Sequence, residues 1–409
     1  MRSPEQLLRL LVHSLRFDQH AGSDLENLGE AEWRTLLTLA DEARLTLPLG
    51  IRCRSVLPDA VRRRIDHNLA DNARRFTRTI DAHDEISGAL SRRGVPFVVL
   101  KGVSHFPYFC DSPRFRPQYD IDLHCPVEYI AAARQAMSDI NYRAVARDAH
   151  ARTDHLPTMV RNTLWRWRGD YYDPEMPLNV ELHFRLWDSG MEFFDVAEAE
   201  QFWLRRTLRH VDRLSIPALD LKDTVRYAAW HVTRHLLRGD LRPAHLYEFA
   251  HFLDRTAGDD SLWAHWEGAE IQTMLAEALA ARLASECFYC RLNSSVRALI
   301  SRLPATAQKW FDLFSISPLL GPTRPNKDEL LLHIALLARP QSTIRITGRR
   351  LFPAPPPRLV RDPQFSSPSS GAGAWVRDAI FLSGRASYHL RTHGPLLWSG
   401  LRWMKAASL

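Results

Sequence analysis

A chain of 409 residues with 45% hydrophobic and 25% charged residues is long enough for two or three domains and has an ordinary globular composition. Its net charge of +7 favours anionic partners: nucleotide phosphates, nucleic acid or an acidic membrane surface. No stretch approaches the ~18 apolar residues that span a bilayer, the N-terminus is polar, and five scattered cysteines form no disulfide framework, so a cytoplasmic protein is expected.

Residues 1–93 read as an N-terminal helical region. Leu7, Leu8, Leu10, Leu11 and Leu15 form one apolar stripe, and Leu36, Leu37, Leu39, Ala40 and Ala43 a second. Arg62 to Leu90 is predicted as one long helix closed by Gly94. Residues 94–195 read as a mixed segment. Strands are expected over Val95–Leu100, Tyr119–Cys125, Tyr142–Ala146, part of His155–Arg161, Leu164–Tyr172 and, last, Leu178–Leu186. A helix is expected over Val127–Ile140, after Pro126. The final strand alternates cleanly, with Leu178, Val180, Leu182 and Phe184 on one face and Asn179, Glu181, His183 and Arg185 on the other. Residues 196–352 read as a C-terminal helical region. Residues 353–374 are rich in proline and serine and read as a linker or loop. Residues 375–409 form an aromatic and basic segment, expected to pack on the helices, with a membrane surface as the alternative. The fold class is α+β.

The chemistry gathers at Asp120-Ile121-Asp122. On a strand the two aspartates share a face, and paired carboxylates call for a positive partner such as Mg2+. Glu181, on the polar face of another strand, supplies a third carboxylate, enough for two ions ~3.5–4 Å apart. The bland alternative is a pair of solvated charges at a strand edge. Lys101-Gly102 follows the first strand, where a turn presents backbone N–H groups, glycine permits close approach of a phosphate, and Ser104 adds a hydroxyl. Arg116 suits a phosphate or an ion pair with the aspartates. His183 shares the Glu181 face, as orienter of the carboxylate or as a structural histidine. His124 reads as structural. His231 and His235 share a helix face, but Val232 stands where a zinc protease needs glutamate, so packing or substrate lining is the reading. Cys287 and Cys290 lack neighbouring ligands at zinc spacing. Trp165-Arg166-Trp167-Arg168 is read as a strand with tryptophans in the core and arginines in water, with nucleic-acid stacking as the alternative.

Together, Leu100-Lys101-Gly102, Tyr108, Arg116-Pro117, Asp120-Ile121-Asp122-Leu123 and Glu181-Leu182-His183 resemble the DNA-polymerase-β-type nucleotidyltransferase superfamily, in its poorly characterised branch with the pattern LKG, RPxxDIDL, ELH. The resemblance spans roughly residues 80–190. It implies a small mixed sheet flanked by helical regions, and transfer of a nucleotidyl group, AMP foremost, from an NTP to a hydroxyl or phosphate acceptor. The cofactor implied is two Mg2+ ions, with Mn2+ as the alternative. It also implies Asp120, Asp122 and Glu181 as catalytic metal ligands, Lys101, Gly102, Ser104 and Arg116 as nucleotide-binding residues, and His183 behind them. The chain departs from the superfamily at Val103, where a second small residue is usual. Two other readings remain open: a nucleotide-binding or antitoxin-like module without turnover, and an enzyme directed at tRNA or other RNA. The acceptor is a small molecule, a peptide, a protein or a tRNA.

Overall fold

A computed structural model describes residues 1–18, 22–144, 154–161, 163–337, 339–351 and 372–407. The linker predicted over 353–374 lies, up to residue 371, outside the described residues, as do 145 and 146 of the third predicted strand.

Four helices open the chain: α1 (Pro4–Ser14), α2 (Glu30–Ala43), α3 (Thr46–Arg52) and α4 (Asp59–Arg92). Ser3 caps α1 through a reciprocal pair, Gln6 N–H donating to its hydroxyl and Gln6 Oε1 accepting from its N–H. Apolar residues recurring through α4, from Val61 and Ile65 to Ile86 and Leu90, are buried. Gly94 ends it with φ +63°. After α5 (Ile130–Asp139) and the single turn α6 (Ser189–Glu192), nine more helices complete the described chain. They are α7 (Leu221–Arg238), α8 (Pro243–Thr256), α9 (Asp260–Trp263), α10 (Leu275–Phe288), α11 (Ser294–Ser301), α12 (Ala305–Phe314), α13 (Asp328–Leu336), α14 (Pro340–Leu351) and α15 (Ala372–Ala407).

Seven strands form one mixed sheet in the order β3-β4-β5-β2-β1-β7-β6: β1 (Val98–Val99), β2 (Asp120–His124), β3 (Tyr142–Ala144), β4 (Met159–Arg161), β5 (Asn179–His183), β6 (Thr207–Val211) and β7 (Leu214–Ala218). β2 runs parallel to β5 and β1 parallel to β7, and the remaining pairs are antiparallel. One face is apolar. Ile121, Leu123, Val180 and Leu182 meet Phe76, Ile80 and Ile86 of α4 and Ala133 and Met137 of α5. The opposite face carries the carboxylates and lies under α7.

Two expectations are corrected. Leu178–Leu186 is not the last strand, because β6 and β7 form a hairpin within the stretch predicted to be helical and extend the sheet past β1. Pro217, in β7, lacks the ladder donor and argues against a strand on sequence grounds. Nor is Trp165–Arg168 a strand with a tryptophan core. It is loop, and Trp167 is 51% exposed. Charge and aromatics alternate there, but Arg166, Trp167 and Arg168 are all exposed and Trp165 is half-buried. The C-terminal segment packs as helix α15, Trp403 Nε1 donating to Thr306 O at 3.1 Å. No described helix is long and apolar enough to cross a membrane. Cys287 and Cys290 are buried free thiols.

Candidate active site

The register of β2 against β5 builds the site. Asp120 pairs with Asn179, Asp122 with Glu181 and His124 with His183. In parallel strands such partners share a face, so the alternation puts all six side chains on the side away from the apolar layer. Asp122, Glu181 and His183 converge further, each offering a ligand atom within 4.8 Å of the others. His183 Nε2 lies 3.1 Å from Asp122 Oδ1 and 3.7 Å from Glu181 Oε2. Thr158 donates its hydroxyl to Glu181 Oε1 at 3.2 Å, and His155 Nε2 is 3.8 Å from Glu181 Oε2. Asp120 shares the face but stands outside that group of three.

Lys101 is the counter-charge. Leu100 N–H donates to Asp122 O, extending β1 along β2, and the chain then turns so that Lys101 Nζ meets Asp122 Oδ1 at 3.0 Å. His231 Nε2 of α7 is 3.1 Å from the same ammonium. Burial opposes charge on Asp122, but the Lys101 ammonium and the His183 contact outweigh it and hold the carboxyl well below the usual range. Burial likewise disfavours the Lys101 ammonium, and Asp122 and Asp120 more than restore it. Glu181 goes the other way: burial, then the charges of Asp122 and Asp120, raise it. Burial lowers His183.

The turn after β1 is tight. Gly102 has φ +73°, and a Cβ there would come within 2.4 Å of Gln118. Gln118 Nε2 in turn donates to Asp120 O at 2.9 Å. Ser104 is buried, its hydroxyl donating to Lys101 O at 3.2 Å. That bond shapes the turn. Arg116 ion-pairs with Glu248 of α8 at 3.0 Å, rather than with Asp120 or Asp122, the carboxylates of one of its two readings. His105 Nδ1 lies 3.7 Å from the same glutamate. His124 has the structural place expected of it, its ring 5.9 Å from that of Trp203 and burial pushing its pKa down to about 4.

Chain order alone suggests that Asp240 and the run Leu246-Tyr247-Glu248-Phe249 close the site from the helical region; it does not foresee Arg44 of α2. Arg44, the left-handed C-cap of α2, lays its guanidinium 3.9 Å from the centre of the Tyr119 ring, one residue before Asp120. His235 Nε2 contacts His231 Nε2 at 3.1 Å while its Nδ1 faces Asp240 Oδ1 at 2.9 Å. The ring of His245 lies 4.7 Å from that of His231. The i, i+4 spacing of His231 and His235 is the local signal for the histidine cluster. Nothing local links Arg44 to Tyr119, far away in sequence.

Among known proteins, the model of a family described as "Uncharacterised nucleotidyltransferase" matches residues 29–289, more than half of the chain. No curated protein and no solved structure matches it.

Proposed function

The chain belongs to the uncharacterised nucleotidyltransferase family, and from that premise we propose that it moves a nucleotidyl group, AMP foremost, from an NTP to an acceptor hydroxyl or phosphate with release of pyrophosphate. The observation that carries this is the in-register facing of Asp122 and Glu181 across parallel strands, with His183 closing the group. The LKG, RPxxDIDL and ELH elements support the polymerase-β-type branch as the ancestry of the site.

The donor set fits a divalent cation. Desolvation of the half-buried Glu181 and then the charges of Asp122 and Asp120 raise its carboxyl, a state that a cation relieves. Asp122, Glu181 and His183 would hold the first ion, and Asp120 would extend the site to a second. The imidazole makes Mn2+ as good a candidate as Mg2+. Such ions supply charge for the triphosphate and the leaving pyrophosphate. The residues do the rest. Lys101 keeps Asp122 ionised and aligned. Glu181, on the acceptor side, takes the proton of the acceptor hydroxyl. The hydroxyl oxygen then bonds to the α-phosphorus, the bond from that phosphorus to the β-phosphate's bridging oxygen breaks, and pyrophosphate departs with the bonding pair.

The test incubates the protein with each α-labelled NTP, Mg2+ or Mn2+ and a cell extract. Label transfer and pyrophosphate release are expected, both falling at least ~100-fold in Asp122→Asn and Glu181→Gln and vanishing in Asp120→Ala. Full transfer by Asp120→Ala sinks the reading. One observation favours a second reading, a nucleotide-binding module without turnover: Lys101 already occupies Asp122. NTP binding without pyrophosphate release by the unaltered protein would select it.

A further inference from the structure

The carboxylate face continues beyond Glu181. Val160 on β4 and Arg143 on β3 stand opposite one another in the ladder. Thr158, two residues before Val160, reaches Glu181, so Val160 and Arg143 belong to the same side of the sheet. Over this stretch lies a groove of about 710 Å3 whose lining includes Asn179, Val160, Arg143, Arg44, Trp165 and Trp167. Asn179 is the register partner of Asp120. The groove therefore ends one strand away from Asp120, at its register partner Asn179.

Its aromatic wall is built rather than incidental. Trp165 Nε1 donates to Asp173 Oδ2 at 2.7 Å. Arg75 of α4 holds the carbonyls of Asp173 and Met176, each at 3.0 Å, so the loop is fastened to the helix under the sheet. Trp167 stands edge-on to Trp165 and to Tyr171, at 6.3 and 4.9 Å between ring centres, and is half exposed. Arg44 and Arg143 have no ion-pair partner among the described residues, and the overall charge is +7. Arg143 donates to the carbonyls of Ser138 and Tyr142 and Arg44 lies over Tyr119, so both keep their charge unneutralised by a carboxylate. Half-exposed and exposed ring faces beside such guanidinium groups match one ligand chemistry: bases that stack, joined by phosphates.

We infer that this groove holds the end of a single-stranded nucleic acid, stacked on Trp165 and Trp167 with its phosphates on Arg44 and Arg143, and delivers the terminal hydroxyl to Asp120 and Glu181. The inference rests on the nucleotidyltransferase reading and names its acceptor. The order of the strands supports an acceptor over the donor's base. The Lys101–Gly102 turn lies on the β1 side of β2 and the groove on the β5 side, with the carboxylates between. An in-line displacement needs the leaving pyrophosphate and the attacking hydroxyl on opposite sides of the phosphorus.

The experiment measures binding of a fluorescent single-stranded RNA oligonucleotide by anisotropy across a salt series, alongside ATP binding, for the unaltered protein, Trp167→Ala and Arg143→Ala. Trp167 is half exposed, so its replacement leaves the core untouched, and circular dichroism verifies this. The unaltered protein should bind with steep salt dependence. Trp167→Ala should lose about 5- to 150-fold in RNA affinity. Arg143→Ala should shrink the slope of log K against log salt by about 0.7. Absence of RNA binding, or equal affinity in both variants, overturns the inference, as does a loss of ATP affinity in Trp167→Ala in place of RNA affinity. RNA binding lost in the variants without any label transfer leaves the groove standing and removes the transferase reading. Label transfer to a small molecule or protein without RNA binding does the reverse.

Discussion

At Gly102 one missing side chain governs the approach of two strands. Its φ of +73° and the 2.4 Å from a built Cβ to Gln118 leave alanine two penalties, backbone strain and a clash with a side chain that also holds Asp120 O. Gly102→Ala should lower stability by about 1–3 kcal/mol, read from the urea midpoint. Adding Gln118→Ala should recover only the steric share, and full recovery would show that backbone strain contributes nothing. At this scale the sequence was informative where alternation was clean. Asp120, Asp122, Glu181 and His183 could be set on shared faces by period alone. The partners of Arg116 and Ser104 could not, because a turn directs them and the turn's path depends on Gln118 and on α8.

Among the elements, α4 acts as the fastening of the site's outer loop. Arg75 donates to Gln118 O at 2.8 Å and to the carbonyls of Asp173 and Met176. All three acceptors lose a buried donor if it is replaced. Arg75→Met should cost on the order of 2–3 kcal/mol, with the urea slope unchanged, and should quicken proteolytic cleavage near Trp167. Unaltered cleavage would argue that the loop is held by its own contacts. The long helix itself was readable from its stripe. The β6–β7 hairpin was not, since its strands are short, Pro217 interrupts the signal, and its pairing with β1 joins Ala218 to the distant Val99. The loop at Trp165–Arg168 misled for a related reason. Alternation of charge and aromatics has period two whether or not a neighbouring strand is present to pair with it.

Across the whole molecule, buried histidines outnumber what the site uses. Burial pushes His83, His105, His124, His265 and His333 each down to about 4. Unfolded, each takes a proton near 6.5, so between those values the unfolded chain binds more protons and stability falls as pH falls. Buried carboxyls raised by desolvation, such as Glu277 and Glu329, work in the opposite direction, so a single replacement is the cleaner probe. His83 is buried, with its Nε2 lacking a hydrogen-bond partner among the described residues. In His83→Met the drop in Tm between pH 7 and pH 5 should be smaller than in the unaltered protein, and equal drops by scanning fluorimetry would count against burial as the cause.

The in-register pairing of β2 with β5 has a consequence for how this chain tolerates change in length. A shift of one residue exchanges the two sides of β5: Val180 and Leu182 arrive at the aspartates, and Glu181 and His183 enter the apolar layer beneath. No intermediate alignment keeps half of the chemistry. A single-residue deletion within Asn179–His183 is therefore an all-or-none lesion, whereas a change of length in the loop that precedes it, outside every ladder, leaves that register in phase and disturbs only the loop's own contacts, such as those of Asp173 and Met176 with Arg75.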